Sequence, residues 1–181
     1  MKKASLIIVV FIFLIVGCRS LGPVFNKNTE KMEVSIPLKS FELLIEDTRE
    51  NVSNRTIYLT PITFGGEHDS ISSSLPLDLE KSLSRIVNDF KTEGQKNIRF
   101  AVSITEGYQK FRSNGIMEVE FVEVELTVKA FDMTNGMLID EAIGKSWGDK
   151  RVVNATYKRI NKMYSTAFHQ AFRTALGKLE I

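Results

Sequence analysis

Apolar residues follow two periods in this chain. Phe41, Leu43 and Ile45 alternate with polar neighbours, as in a half-buried strand, and a second strand is expected around Ile57 to Phe64. Gly65 to Ser74, with two glycines, His68, Asp69 and four serines, reads as a loop ending at Pro76, which suits the first turn of a helix. Leu79, Leu83, Ile86, Val87 and Phe90 then recur at helical spacing, with Gly94 as the stop. Period two returns at Ile98, Phe100, Val102 and Ile104, and Ser113-Asn114-Gly115 is a hairpin turn signal. In the return strand Val119 and Phe121 are apolar at odd positions, but Val122, Val124, Leu126, Val128 and Ala130 at even ones, so a β-bulge is expected near Phe121-Val122. Thr134-Asn135-Gly136 predicts another turn, and Met137 to about Trp147 a last strand. Asn154 is a candidate cap for a final helix with Tyr157, Ile160, Tyr164, Phe168, Ala171, Ala175 and Leu179 along one stripe. The order β-β-α-β-β-β-α predicts an α+β fold: an antiparallel meander of about five strands, packed on one face by two helices.

The N-terminal segment follows neither period. Lys2 and Lys3 precede eleven consecutive apolar residues, Leu6 to Val16, and Ile15-Val16-Gly17-Cys18 ends the run. A helix of that length falls short of the ~30 Å hydrocarbon core of a bilayer and suits the apolar region of a signal peptide. Small residues before the sole cysteine fit a lipobox, with cleavage before Cys18 and acylation of its sulfur. Lipidation also accounts for a lone cysteine in an exported chain, where no disulfide partner exists. The expected organisation is a signal peptide over 1–17, a lipidated Cys18 with a flexible tether over 18–40, and a single domain over 41–181. A coil of that tether's length would span about 25 Å, letting the body stand off the bilayer.

Cleavage changes the charge picture. Loss of Lys2 and Lys3 takes the formal charge from +2 to zero over 164 residues. A neutral chain lacks the basic footprint of a nucleic-acid binder. Arg19 stands where enteric inner-membrane lipoproteins carry a retention aspartate, so the outer membrane is expected, with the domain facing the periplasm.

The lipobox, the strand ending Ile45-Glu46-Asp47-Thr48-Arg49, the helix from Pro76 to Gly94, the hairpin through Asn114-Gly115 and the turn Phe131-Asp132-Met133-Thr134-Asn135-Gly136 together resemble the YajG-like family of small Gram-negative envelope lipoproteins. The chain more loosely resembles LptE, the lipopolysaccharide-assembly lipoprotein, from which it departs behind the cysteine at Arg19-Ser20-Leu21-Gly22. The YajG-like resemblance implies an envelope address and an α+β fold, and brings no catalytic residues.

Candidate chemistry is sparse. Acylation leaves Cys18 no thiol, and two histidines 101 residues apart have no zinc-ligand spacing. No phosphate-cradling loop, dinucleotide fingerprint or nucleophile elbow is present. His68-Asp69-Ser70 has the letters of a triad, but adjacent residues rarely converge as a triad does. His169 is read as flanking the last helix, and Asp47-Thr48-Arg49 as a turn. Glu118, Glu120, Glu123 and Glu125 would share one sheet face if the bulge lies at Phe121-Val122, and are the candidate interaction face; a solvated face balanced by Arg99 or Lys145 is the plainer reading. The expectation is a non-enzymatic envelope protein with no cofactor or metal. It would contact another envelope protein through sheet edges or loops, with an LptE-type lipid handler and an enzyme using the His68 loop as alternatives.

Overall fold

The computed structural model describes residues 23–25, 34–59, 68–113 and 117–181. The expected signal peptide, Cys18 and the Asn114-Gly115 turn lie outside the described residues. The chain is α+β, with six strands and two helices among the described residues. They are β1 (Val24–Phe25), β2 (Ile36–Asp47), β3 (His68–Ile71), α1 (Leu79–Phe90), β4 (Lys91–Ser113), β5 (Glu118–Asp132), β6 (Leu138–Val152) and α2 (Tyr157–Leu176). One mixed sheet has the order β1-β6-β5-β4-β2, with β3 also on β4.

Both helices lie on one face, as their apolar stripes require. Leu79, Leu83, Ile86 and Val87 of α1 are buried with Ile160, Tyr164, Phe168, Ala171 and Ala175 of α2 against Phe100, Val102, Val124, Leu126 and Val128 of the sheet. The closest approach of helix and sheet is at Gly144 of β6, where a Cβ would stand 1.9 Å from the carbonyl oxygen of Ala171. Gly136, at φ +73°, turns the chain into β6 as Asn135-Gly136 predicts.

Several expectations are corrected. The sheet is not an antiparallel meander, because β2 pairs with β4 in parallel, from Ile36 opposite Lys91 to Asp47 opposite Ile104. Alternation specifies which face is buried but not the partner or its direction. Ile57 is buried without belonging to a strand, and the rest of the expected strand from 60 onward lies outside the described residues. Within the expected loop, His68 to Ile71 form a strand on Gln109–Arg112. Gly94 does not stop α1, since β4 starts at Lys91 directly after it; Gly94 instead sits in β4 against the backbone of Pro37. The cap position of α2 is Thr156 and not Asn154.

The expected bulge is displaced to the neighbouring strand. β5 keeps one phase from Glu118 to Ala130, while β4 shifts register between Ile104 and Glu106. Its buried positions pass from even (Ile98, Phe100, Val102, Ile104) to odd (Gln109, Phe111, Ser113) across that break.

The expected tether also holds paired backbone. Val24 and Phe25 pair with Asp149 and Gly148, and β2 begins at Ile36, with Ile36 and Leu38 in the core. The folded body thus starts ahead of residue 41.

Candidate functional site

A cleft of about 590 Å³ opens between the start of α1, the middle of α2 and the strand-like segment that flanks β3. Ser73 and Tyr164 of its lining are held from behind by Arg49, just past the end of β2, whose side chain is only 4% exposed. Two guanidinium nitrogens donate to the Asp47 carboxylate at 2.7 and 2.6 Å. The third reaches inward, donating to the carbonyls of Ser73 at 2.8 Å and Gly107 at 3.0 Å and lying 3.0 Å from the Tyr164 hydroxyl. Tyr164 donates in turn to the Ser73 carbonyl at 3.1 Å. One planar cation thereby fastens the end of β2, the 72–73 segment, β4 and α2, a geometry that a lysine could not reproduce. The hydrogen bond from Arg49 holds Asp47 below the usual carboxylate range, and burial pushes the Tyr164 hydroxyl up to about 12. Asp47-Thr48-Arg49 is therefore a clamp between elements and more than a turn.

The cleft lining is rich in hydroxyl and amide groups, including Asn54, Ser74, Ser82, Asn161 and Ser165. Gln109, on the core face of β4, donates to Asn161 at 2.9 Å. Ser73 lines the same cleft, and its hydroxyl is buried without a hydrogen-bond partner. Leu77, on the rim, stands wholly in solvent.

His169 reaches the cleft from α2 and lies 2.9 Å from Ser82 Oγ through its Nε2. Ser82 donates its own proton to the Leu79 carbonyl at 2.8 Å, so it accepts from Nε2–H. Burial, followed by the charge of Arg173, lowers the His169 pKa and favours the neutral ring. A general base needs the opposite arrangement, with the serine proton directed at the ring and an acid behind it. This Ser-His pair is arranged as a packing hydrogen bond.

The residues singled out from the sequence are dispersed. His68 and Asp69 are consecutive in β3 and project to opposite sides. Arg55 holds Asp69 with two 2.6 Å contacts, and that hydrogen bonding brings its carboxyl down to about 2.

The four glutamates do not share a face, because β5 carries no bulge. Glu118 and Glu120 point into the core and receive the start of α2. Glu118 accepts from the Ala155 amide, and Glu120 from the Thr156 amide at 2.9 Å and from Arg159 at 2.5 and 2.8 Å. They hold the backbone just ahead of α2, whose cap residue Thr156 makes no side-chain cap bond of its own. Glu123 and Glu125 lie on the open face within 3.5 and 3.2 Å of Lys145. Among the described residues no cluster of three or more His, Cys, Asp or Glu is placed to hold a metal.

The clamp and the cleft were missed because their members are scattered over positions 49 to 169. The available signal was an arginine ending an alternating strand and a tyrosine in the middle of the apolar helix stripe.

No family model matches the chain, and no curated protein matches it. Among solved structures it is similar to XCC0632 from Xanthomonas campestris, a protein of the DUF330 family model. The two are 13% identical, the match covers 80% of this chain and 88% of that one, and the TM-score is 0.43.

Proposed function

We propose that the protein is a lipid-anchored bacterial envelope protein, acylated at Cys18, that acts as a non-enzymatic accessory subunit by binding another envelope protein at the cleft beside Leu77. The observation that carries the binding role is the pairing of Leu77, fully in solvent on the rim, with the unpartnered Ser73 hydroxyl in the lining. A partner segment would cover the first and, with a turn of the Ser73 side chain bringing its buried hydroxyl to the cleft surface, satisfy the second. The Ser82–His169 hydrogen bond, oriented away from nucleophile activation, favours binding over catalysis at this cleft. The lipobox and the YajG-like resemblance support the address, with the outer membrane and a periplasm-facing domain as the proposed location.

The test is crosslinking in intact cells followed by affinity purification of the full-length protein from detergent-solubilised envelopes, alongside Cys18→Ala and Leu77→Asp variants. The expected result is a stoichiometric partner recovered with the natural chain, lost from Leu77→Asp and reduced in Cys18→Ala. Leu77→Asp should melt at the natural temperature, because the side chain touches solvent alone. Recovery of the protein by itself, or of a partner indifferent to Leu77→Asp, refutes the cleft as the binding site.

A further inference from the structure

A second cleft, of about 480 Å³, lies at the end of the domain where the N-terminal chain enters. Pro23 and Phe25 border it on one side and Met163 and Thr166 of α2 on the other, and four cations surround it: Lys150, Lys158, Arg159 and Lys162. Arg159 is committed to Glu120, whereas the three lysines make no ion pair among the described residues. The amides of Ala155 and Thr156, just ahead of α2, are taken by Glu118 and Glu120, and the net positive charge of the cleft comes from its lysine side chains. Asp149 and Arg151, the charged neighbours of Lys150 in β6, alternate to the opposite face of the sheet. Two apolar side chains stand in solvent at the start of α2, Val153 at 73% and Tyr157 at 45% exposure.

The chain itself fixes what this end must meet. Cys18 is five residue steps from Pro23, so even fully extended backbone holds Pro23 within about 18 Å of an acylated cysteine. Because β1 is already paired to β6, the expected stand-off of a long tether does not exist. We infer that the lysine-rich cleft between β1 and α2 is a docking surface for anionic lipid headgroups, through which the domain lies on the leaflet that holds Cys18. The inference rests on the proposed acylation. Its chemistry is that of a peripheral membrane surface: cations for phosphate-bearing headgroups, with Val153 and Tyr157 able to enter the interface. Each lysine held near an anionic surface strengthens association roughly fivefold, so three contribute about a hundredfold. The attraction fades beyond a Debye length of ~8 Å at physiological salt.

The experiment uses the full-length chain purified in detergent and reconstituted into phosphatidylcholine vesicles with or without phosphatidylglycerol. A fluorophore is placed at Val153→Cys or, at the far end of β6, at Met137→Cys, and nitroxide on the lipid headgroups serves as quencher. β6 has fifteen residues, which separates the two labels by about 50 Å. Intact mass and the number of free thiols are read first. An unmodified Cys18 with two reactive thiols refutes the anchor and the docking with it. With Cys18 acylated, the expected result is strong quenching at position 153 and little at 137 on anionic vesicles. The quenching should diminish severalfold on neutral vesicles, at high salt, or in a Lys150→Gln, Lys158→Gln, Lys162→Gln variant. Equal quenching at both ends, or quenching at position 153 indifferent to lipid charge and to the three substitutions, overturns the docking surface while leaving the anchor standing.

Discussion

Replacing Arg49 by methionine keeps most of the side-chain volume and removes every donor. Asp47 is 27% exposed, so water replaces its lost partner and that part of the loss is worth ~0–1 kcal/mol. The inward-facing nitrogen is a different matter. The carbonyls of Ser73 and Gly107 each lose a charged donor, at about 1.5–3 kcal/mol apiece. Ser73 keeps the Tyr164 hydroxyl, which trims its share. The expected loss is about 3–4 kcal/mol, a large part of the ~5–15 kcal/mol available to a typical domain. At ~2–4 °C per kcal/mol the melting temperature should fall by about 10 °C. Thermal unfolding followed by circular dichroism, with urea titration to confirm an unchanged slope, measures it. Arg49→Lys should recover less than half of the loss, because an ammonium cannot reach Asp47 and the inner carbonyls together. A double-mutant cycle with Tyr164→Phe should show coupling of about 1 kcal/mol or more. A loss below ~0.5 kcal/mol, the range of an ordinary surface substitution, would refute the clamp.

Tyr164 gives stability an alkaline edge. Its folded pKa, near 12 through burial, exceeds the unfolded value near 10, so its contribution is complete below pH 10 and is lost as pH rises toward 12. Unfolding free energies measured across that window should fall more steeply for the natural chain than for Tyr164→Phe, and parallel curves would contradict this. Glu120→Gln removes the carboxylate that Arg159 and the start of α2 share. It should cost about 2–3 kcal/mol and raise hydrogen exchange selectively in the first turn of α2, and unchanged exchange there would show that Glu118 alone holds the entry to α2.

Apart from β3, which lies in the expected loop, the elements from β2 onward were legible because each stretch carries its own period: α1 and α2 bury the stripes written at helical spacing, and β5 and β6 flank the turn at Asn135-Gly136. Pairing direction was not, since Phe41, Leu43 and Ile45 look alike beside a parallel or an antiparallel neighbour. The bulge was placed on the wrong strand for an instructive reason. Glu118 and Glu120 read as solvent positions, and only the arrival of α2 overhead, with unbonded amides to satisfy, makes burying two carboxylates tolerable. The true break in β4 did leave a mark, because Phe111 falls at an odd position after four even ones. Of the candidate site, Arg49 and His169 were noticed singly. Nothing local in the sequence places His169 in the cleft or Arg49 behind its lining.

The pairing of the first strands also dictates when the molecule can close. Glu42 of β2 meets Arg99, 57 positions later, and Val24 of β1 meets Asp149, 125 positions later. A chain appearing from its N-terminus therefore holds two strands with unmet edges until the middle and then nearly the last strand have emerged. Such long loops make folding slow and leave the apolar side of β2 bare meanwhile. The segment made first is the last to be sealed, and a chaperone that shields Ile36 to Ile45 would act on this protein during that interval.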